Sequence, residues 1–500
     1  MVKRSFNQAR RTKIVCTIGP ATQERDQLEA LIDAGMDVAR LNFSHGEPEW
    51  HRRTIKLIRA ISAERRRPIG VMLDIPGPKL RIGEIPDGPI LLDSGSVVRF
   101  VSGDAPGNAS EISVNYAPLF DELEPGDRIF VGDGDVELEV ESTESETVRC
   151  RVISGGLVSS HKGMNFPTRT LSLSTITPAD RDAIALGVAV AVDFLALSFV
   201  RSAADIELAR GVILEHGGDL PVISKIEKHE AMQNLEEIIE QSDGLLVARG
   251  DLAVEIPLED VPRAQKLIIR SANAAGKPVI TATQMLRSMV TATRPTRAET
   301  TDVANALYDG TDAVMLSEET AVGSNPVGAV NIMRRICLAT ERDMERPEIN
   351  RKLPAERQGS VPDVVAAAGA LVARLLDVAA ILVPTRTGST AIKMAEFRPH
   401  QPILAISTHP ATVGRLTLIW GVIPLLGEEV PTHEAMLAEA EATARDADLV
   451  QEGDLVVITA GFPVGGPGTT NTLTVKAIGE GLAIGGWDDQ RALFTDPDDS

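Results

Sequence analysis

Lys225 and Glu227 stand two apart, and so do Arg40 and Asn42. In an extended strand such pairs share a face. Arg249, Gly250 and Asp251 close a further apolar run. Two carboxylates beside a lysine and two arginines suit a divalent ion held between protein oxygens and a phosphate. Mg²⁺ takes one or two carboxylates plus substrate oxygens, so Glu227 and Asp251 fit it. Lys225 would neutralise charge growing on a transferring phosphoryl group, a reaction driven mainly by positioning and electrostatics. Gly250 would let a ligand approach the backbone, where its N–H and that of Asp251 would bind a carboxylate.

These residues need a scaffold that gathers strand ends. Short apolar runs alternate with helical stretches: TKIVCTI (12–18), MDVARLN (36–42), IGVMLD (69–74), DFLALS (193–198), PVISKI (221–226), DGLLVA (243–248), KPVITAT (277–283) and TDAVMLS (311–317). Eight such units predict an α/β chain built on a TIM (β/α)8 barrel, whose active site lies at the C-terminal strand ends. Those ends carry Arg40, Asn42, Ser44 and His45; Asp74, then Lys79 and Arg81; Lys225 and Glu227; Arg249, Gly250 and Asp251; Thr281, Thr283 and Gln284; and Ser317, Glu318 and Glu319.

The rhythm breaks between Ile75 and Pro167, where short strands and Pro-Gly turns predict an all-β insert, sandwich or barrel. A polar, proline-bearing stretch near 345–363 predicts a linker. Beyond it the strands AAILVP, PILAIS, VIPLL and DLVVITAG predict a small parallel α/β domain. We expect domains at 1–74 with 168–345, at 75–167 and at 360–485. Thr385, Arg386, Thr387, Gly388, Ser389 and Thr390 follow a strand and open a helix, a place where hydroxyls and N–H groups bind phosphate.

The 500 residues carry 71 acidic and 50 basic side chains, a net charge of −21. That field opposes nucleic acid and anionic membrane, so neither is expected as a partner. Aromatics at 3% supply no stacking platform for single strands. Cys16, Cys150 and Cys337 are too few and too scattered for a disulfide framework or zinc knuckle, which points to a reducing, cytoplasmic setting. The basic start lacks the apolar tract of a signal peptide, and Asp193 interrupts the longest apolar run. No GxxxxGK[ST] loop is present, and His229-Glu230 and His433-Glu434 lack the second histidine of a zincin. Taken singly, several residues have plainer readings. His45 could be packed by Trp50 at a helix start, and Asp74 could cap a turn. Lys225 and Glu227 could form a simple ion pair, Met285 and Met289 could be core, and the 385–390 loop could be an ordinary N-cap.

Eight blocks in order (TKIVCTIGPAT, MDVARLNFSHG, LDIPGPKLRIG, SKIEKHE, LLVARGDLAVEI, TATQMLRSM, RPTRAETTDVANA and MLSEETA) resemble the signatures of the pyruvate kinase family. The C-terminal unit, with TRTGST and GTTNT, resembles its third domain. The resemblance implies phosphoryl transfer from phosphoenolpyruvate to ADP, giving pyruvate and ATP, the last step of glycolysis. It implies Arg40 and Lys225 at the phosphoryl group, and Glu227 and Asp251 on Mg²⁺ (or Mn²⁺). Gly250, Asp251 and Thr283 would hold the carboxylate, with Thr283 relaying the proton that completes pyruvate. Asn42, His45, Arg81 and Lys162 would lie on the nucleotide side, the insert acting as a lid. Asn42, Ser44, Asp74 and the Ile75 carbonyl match the family's monovalent-cation site. Potassium-dependent members usually carry Thr-Lys after that aspartate and Glu at the position of Lys79. Here Ile75-Pro76 and Lys79 stand instead, and a fixed ammonium would replace K⁺. The resemblance further implies a homotetramer and a phosphorylated allosteric effector at Thr385–Thr390. The alternatives are a non-catalytic sensor on the same scaffold, or a barrel enzyme that uses phosphoenolpyruvate as a carbon nucleophile and releases phosphate.

Overall fold

The computed structural model describes residues 10–132, 134–344, 360–461 and 470–480. Eight parallel strands close into a barrel: β1 (Lys13–Ile18), β2 (Val38–Asn42), β3 (Gly70–Ile75), β4 (Phe194–Leu197), β5 (Val222–Ile226), β6 (Gly244–Ala248), β7 (Val279–Ala282) and β8 (Ala313–Leu316). The ring closes where Lys13 of β1 faces Ala313 of β8.

Strand alternation decides what fills the barrel. Val15, Val38, Met72, Phe194, Ala196, Ile223, Leu246, Ile280 and Met315 form the inner cluster. Their neighbours Ile14, Cys16, Ala39, Leu41, Val71, Leu73, Val222 and Leu245 pack outward against the helices. Full burial of each large aliphatic side chain contributes ~1.5–3 kcal/mol. The same period of two then continues past the apolar layers. Arg40 follows Val38, Asp74 follows Met72, Ser198 follows Ala196, and Lys225 follows Ile223. The polar rim is the inner face carried one step further.

Local signals hold the helices in place. Arg25–Ala34 buries Leu28, Leu31 and Ile32 and stops at Gly35, whose φ of 126° suits glycine. Capping boxes at Thr177/Asp180 and Thr296/Glu299 start two others. Met285 and Met289 are buried in the outer core, as their plainer reading holds. Cys16, Cys150 and Cys337 are buried thiols.

Between β3 and β4 the chain forms a six-stranded sheet and a separate two-stranded ribbon around its own core, which includes Phe100, Leu138 and Val152. Three short strands there, Glu111–Val114, Gly156–Val158 and Met164–Asn165, lie below the length that sequence alternation can reveal.

The described chain divides into two compact units, the barrel with its insert forming the larger. The other contains β9 (Ala380–Pro384), β10 (Ile403–Ser407), β11 (Val422–Leu426), β12 (Leu455–Gly461) and β13 (Thr470–Ala477), ordered β11-β10-β9-β12-β13. One expectation needs correcting: this sheet is not wholly parallel. β13 runs antiparallel to β12, pairing Val457 with Val475. Its TNTLTVKA composition mixes polar and apolar residues on a half-exposed edge, so it is absent from the expected strands. The expected domain limits near 345 and 485, most of the 345–363 linker and the start of GTTNT lie outside the described residues.

Candidate active site

Asp74 is the hub of the barrel mouth and is 1% exposed. Its Oδ2 accepts from Arg40 Nε at 2.7 Å, and its Oδ1 lies 3.4 Å from Lys225 Nζ. Arg40 Nη1 also donates to Thr17 Oγ1 at 2.9 Å. Lys225 Nζ reaches Glu227 Oε1 at 2.8 Å and donates to Ser198 Oγ at 2.7 Å. Ser198 Oγ in turn donates to the Ile75 carbonyl at 2.7 Å. The other Glu227 oxygen accepts the Phe199 N–H at 2.8 Å. Phe199 adopts φ 55°, unusual for a bulky residue, and that turn aims its N–H at the carboxylate. Lys225 and Glu227 are thus more than a strand-end pair, and Asp74 does more than cap a turn.

The electrostatics follow from burial and charge. Burial alone would raise the Asp74 pKa, but Arg40 and Lys225 outweigh it and hold the carboxyl below its ordinary value. Burial works against the Lys225 ammonium, yet Asp74 and Glu227 outweigh it and hold the group above its ordinary value. Glu227 is different. Burial, opposed by Lys225 and reinforced by repulsion from Asp251, holds its carboxyl above the usual range. Glu227 and Asp251 are thus close enough for their charges to repel, and a cation between them would relieve that repulsion. Asp251 is partly exposed, and its Oδ1 lies 3.9 Å from Lys79 Nζ.

Gly250 and Thr283 adjoin this pair. Gly250 N–H donates to Thr283 Oγ1 at 2.8 Å, and that hydroxyl donates to the Ala282 carbonyl at 2.7 Å. A Cβ at Gly250 would meet Thr283 Oγ1 at an ordinary 3.5 Å, so no protein atom there demands glycine. Thr283 and Gln284 adopt φ 65° and 55°, strained values for side chains of these types. Arg249 explains how the strain persists. Its Nη1 meets both Asp302 oxygens at 2.7 Å, and its Nη2 donates to the Thr283 carbonyl at 2.8 Å. Arg249 thus serves as a buttress between β6 and β7, its guanidinium engaged by Asp302 and the Thr283 carbonyl.

On the opposite rim, Asn42 Oδ1 accepts the Ser44 N–H at 3.1 Å. His45 is exposed, so Trp50 does not bury it. His51 occupies that position instead. It stacks on Phe43 with ring centroids 3.6 Å apart, meets Trp50 edge-on, and contacts the His45 carbonyl through Nε2 at 2.9 Å. Arg81 and Lys162 lie on the two chains that join the insert to the barrel. Arg81 bridges to Gly163, and its Nη1 donates to the His161 carbonyl at 2.9 Å. Asn165 also ties the insert's return strand to the barrel, donating to Glu255 Oε1 at 2.9 Å.

In the second unit, the Thr385–Thr390 loop turns at Gly388, φ 85°, which caps the helix Ser389–Glu396 without a side-chain cap bond. Gly388 N–H donates to Thr385 Oγ1 at 2.9 Å, Thr387 Oγ1 donates to Ser389 Oγ at 3.2 Å, and Thr390 contacts Thr470. The Arg386 carbonyl accepts from Thr412 Oγ1 at 2.8 Å.

Residues 9–330 match the family model of the pyruvate kinase barrel domain. The chain belongs to the pyruvate kinase family. Residues 363–476 match the model of the pyruvate kinase alpha/beta domain. The chain is 45% identical to pyruvate kinase 2 of Synechocystis over 95% of its length and 81% of that protein's. It is 45% identical to the pyruvate kinase of Geobacillus stearothermophilus and 42% to that of Sporosarcina psychrophila, spanning 82% of each. Pyruvate kinase activity moves a phosphoryl group from phosphoenolpyruvate to ADP and leaves pyruvate and ATP. Four participants escaped the sequence reading: Thr17, Ser198, Phe199 and Asp302. Ser198 was within reach, because it continues the inner face of β4. Asp302 lies on the helix Arg297–Asp309, and only the folded chain brings it to Arg249.

Proposed function

We propose that Arg40 and Lys225 hold the transferring phosphoryl group of phosphoenolpyruvate, with Glu227 and Asp251 holding Mg²⁺ (or Mn²⁺). The observation that carries this reading is the Lys225 ammonium, held 2.8 Å from Glu227 and 3.4 Å from Asp74 at the barrel mouth. The repelling carboxylates Glu227 and Asp251 fit a hard divalent ion. When bound, that ion would neutralise phosphate charge and screen the two carboxylates. The P–O bond to the enol oxygen breaks as a bond to the terminal ADP oxygen forms. Lys225 and Arg40 balance charge spread over the moving group. The enolate is then protonated at carbon, a role for the Thr283 hydroxyl, which its hydrogen bonds to Gly250 and Ala282 hold in one orientation. Gly250, Asp251 and Thr283 receive the substrate carboxylate. Asn42, His45, Arg81 and Lys162 face the nucleotide, and the insert closes over it to exclude water.

The enzyme works without K⁺. The donors that would hold a monovalent ion are already engaged: Asp74 by Arg40 and Lys225, the Ile75 carbonyl by Ser198, and Asn42 Oδ1 by Ser44. Lys79 brings a fixed ammonium to Asp251 from the same loop. A lactate-dehydrogenase-coupled assay with phosphoenolpyruvate and ADP checks both ions. Chelation abolishes the rate, Mg²⁺ restores it, and K⁺ added to a sodium- and potassium-free buffer changes it less than twofold. A tenfold rise on adding K⁺ would refute the ammonium substitution.

The hydroxyl-rich Thr385–Thr390 loop binds a phosphorylated effector, since its helix is capped by glycine with no side-chain cap bond, which leaves the helix N-terminus open to an anion. Thr385→Ala with Ser389→Ala should abolish activation by sugar phosphates or AMP while the basal rate stays near wild type. Retained activation would remove the site. A homotetramer in the cytoplasm completes the proposal. Among the described residues, no helix is long and apolar enough to cross a membrane.

A further inference from the structure

Beside the catalytic mouth lies a second group of metal-ligating side chains, which the phosphoryl transfer does not use. His229, Glu230 and Glu255 each offer one ligand atom, and the three atoms lie within 4.8 Å of one another. His229 Nδ1 is 3.2 Å from Glu255 Oε2 and 3.2 Å from Glu230 Oε2. Both carboxylates are more than nine-tenths buried.

The hydrogen-bond count does not close. One imidazole nitrogen carries at most one hydrogen and serves one oxygen well. Glu255 Oε2 takes it, and Glu230 Oε2 is left buried without a hydrogen-bond partner. The outer oxygens are already committed. Glu255 Oε1 accepts from Lys228 at 2.6 Å and from Asn165 at 2.9 Å, and Glu230 Oε1 accepts from Thr170 at 2.9 Å. Lys228 offsets one carboxylate, so one negative charge and one orphaned oxygen remain in a water-poor place. Such a residue is costly unless a cation meets it.

We propose that His229 Nδ1, Glu230 Oε2 and Glu255 Oε2 form a binding site for a zinc-class divalent ion, separate from the catalytic carboxylates. One nitrogen and two carboxylate oxygens make a borderline-soft set that suits such an ion better than Mg²⁺. Four-coordinate zinc keeps these ligands at about 2.0–2.2 Å, hence roughly 3.3–3.6 Å apart; His229 Nδ1 already stands 3.2 Å from each carboxylate oxygen. The consequence is mechanical. Asn165 and Thr170 belong to the return from the insert, and each bonds the outer oxygen of one of these carboxylates. An ion on the inner oxygens would brace the two acceptors that anchor the root of the insert.

The test uses the full-length enzyme, stripped with chelator and held in excess Mg²⁺ to saturate the catalytic pair. Zn²⁺ is titrated by calorimetry, and Co²⁺ by its visible absorption. The wild type is expected to take up one ion per chain and to gain thermal stability. His229→Gln and Glu230→Gln are expected to lose at least the roughly 10–100-fold in affinity that even outer-shell partners command, with circular dichroism confirming that each folds. Equal affinity in the wild type and both variants would overturn the site. So would Zn²⁺ uptake that Mg²⁺ competes away, since the ion would then sit on Glu227 and Asp251. Neither result bears on the phosphoryl-transfer reading, which the coupled assay judges separately.

Discussion

Lys225→Met should lower kcat by roughly 10³-fold or more, within the range seen when a phosphoryl-clamping cation is removed. The Lys225 ammonium contacts Ser198, Glu227 and Asp74 together. During transfer, charge builds on the departing enol oxygen and is redistributed over the three equatorial oxygens of the moving group. An interaction made mainly in the transition state lowers kcat and kcat/KM together and leaves KM nearly unchanged. Lys225→Arg keeps the charge but replaces a compact ammonium with a planar fork, so it should recover only part of the rate. The coupled assay gives both constants, and thermal melting shows whether Glu227 and Asp74 tolerate the loss of their partner. A folded Lys225→Met enzyme with kcat within tenfold of wild type would remove Lys225 from the chemistry.

The barrel and most of its mouth were legible because one rule, alternation along a strand, governs both. Val38 and Met72 identify the inner face, and Arg40 and Asp74 inherit it. What stayed hidden was set by contacts distant in the chain. Arg249 looked like a binding cation because it ends β6, yet Asp302, 53 residues on, captures it. Ser198 was overlooked because a serine after FLAL carries no charge to announce it. The insert's shortest strand is two residues long, too brief to show a period. β13 was missed because an edge strand with one wet face mixes residue types.

Asp74→Asn tests the hub without touching Lys225. Asp74 is held below its ordinary pKa, so its charge contributes stability at neutral pH, and that stability is lost as pH falls through the folded-state value. Lys225 is held above its ordinary value, so its contribution is present below the unfolded-state pKa and lost only as pH rises past the folded one. Asparagine leaves Arg40 and Lys225 facing one another across a neutral amide. Breaking a buried pair from one side costs ~3–5 kcal/mol, because the surviving charge stays desolvated. The variant should lose about that much stability at pH 7, and less in strong acid, where the wild-type carboxyl is itself protonated. Its Lys225 loses the largest attraction that offsets burial, so that group's pKa falls. On the role proposed for Lys225, the alkaline limb of the kcat profile should therefore move to lower pH. Denaturant unfolding at several pH values reads the first effect, and pH–rate profiles read the second. Wild-type stability with an unmoved alkaline limb would mean that Asp74 does not set the charge of Lys225. A shift of both would locate the control of the Lys225 charge in a single buried carboxylate.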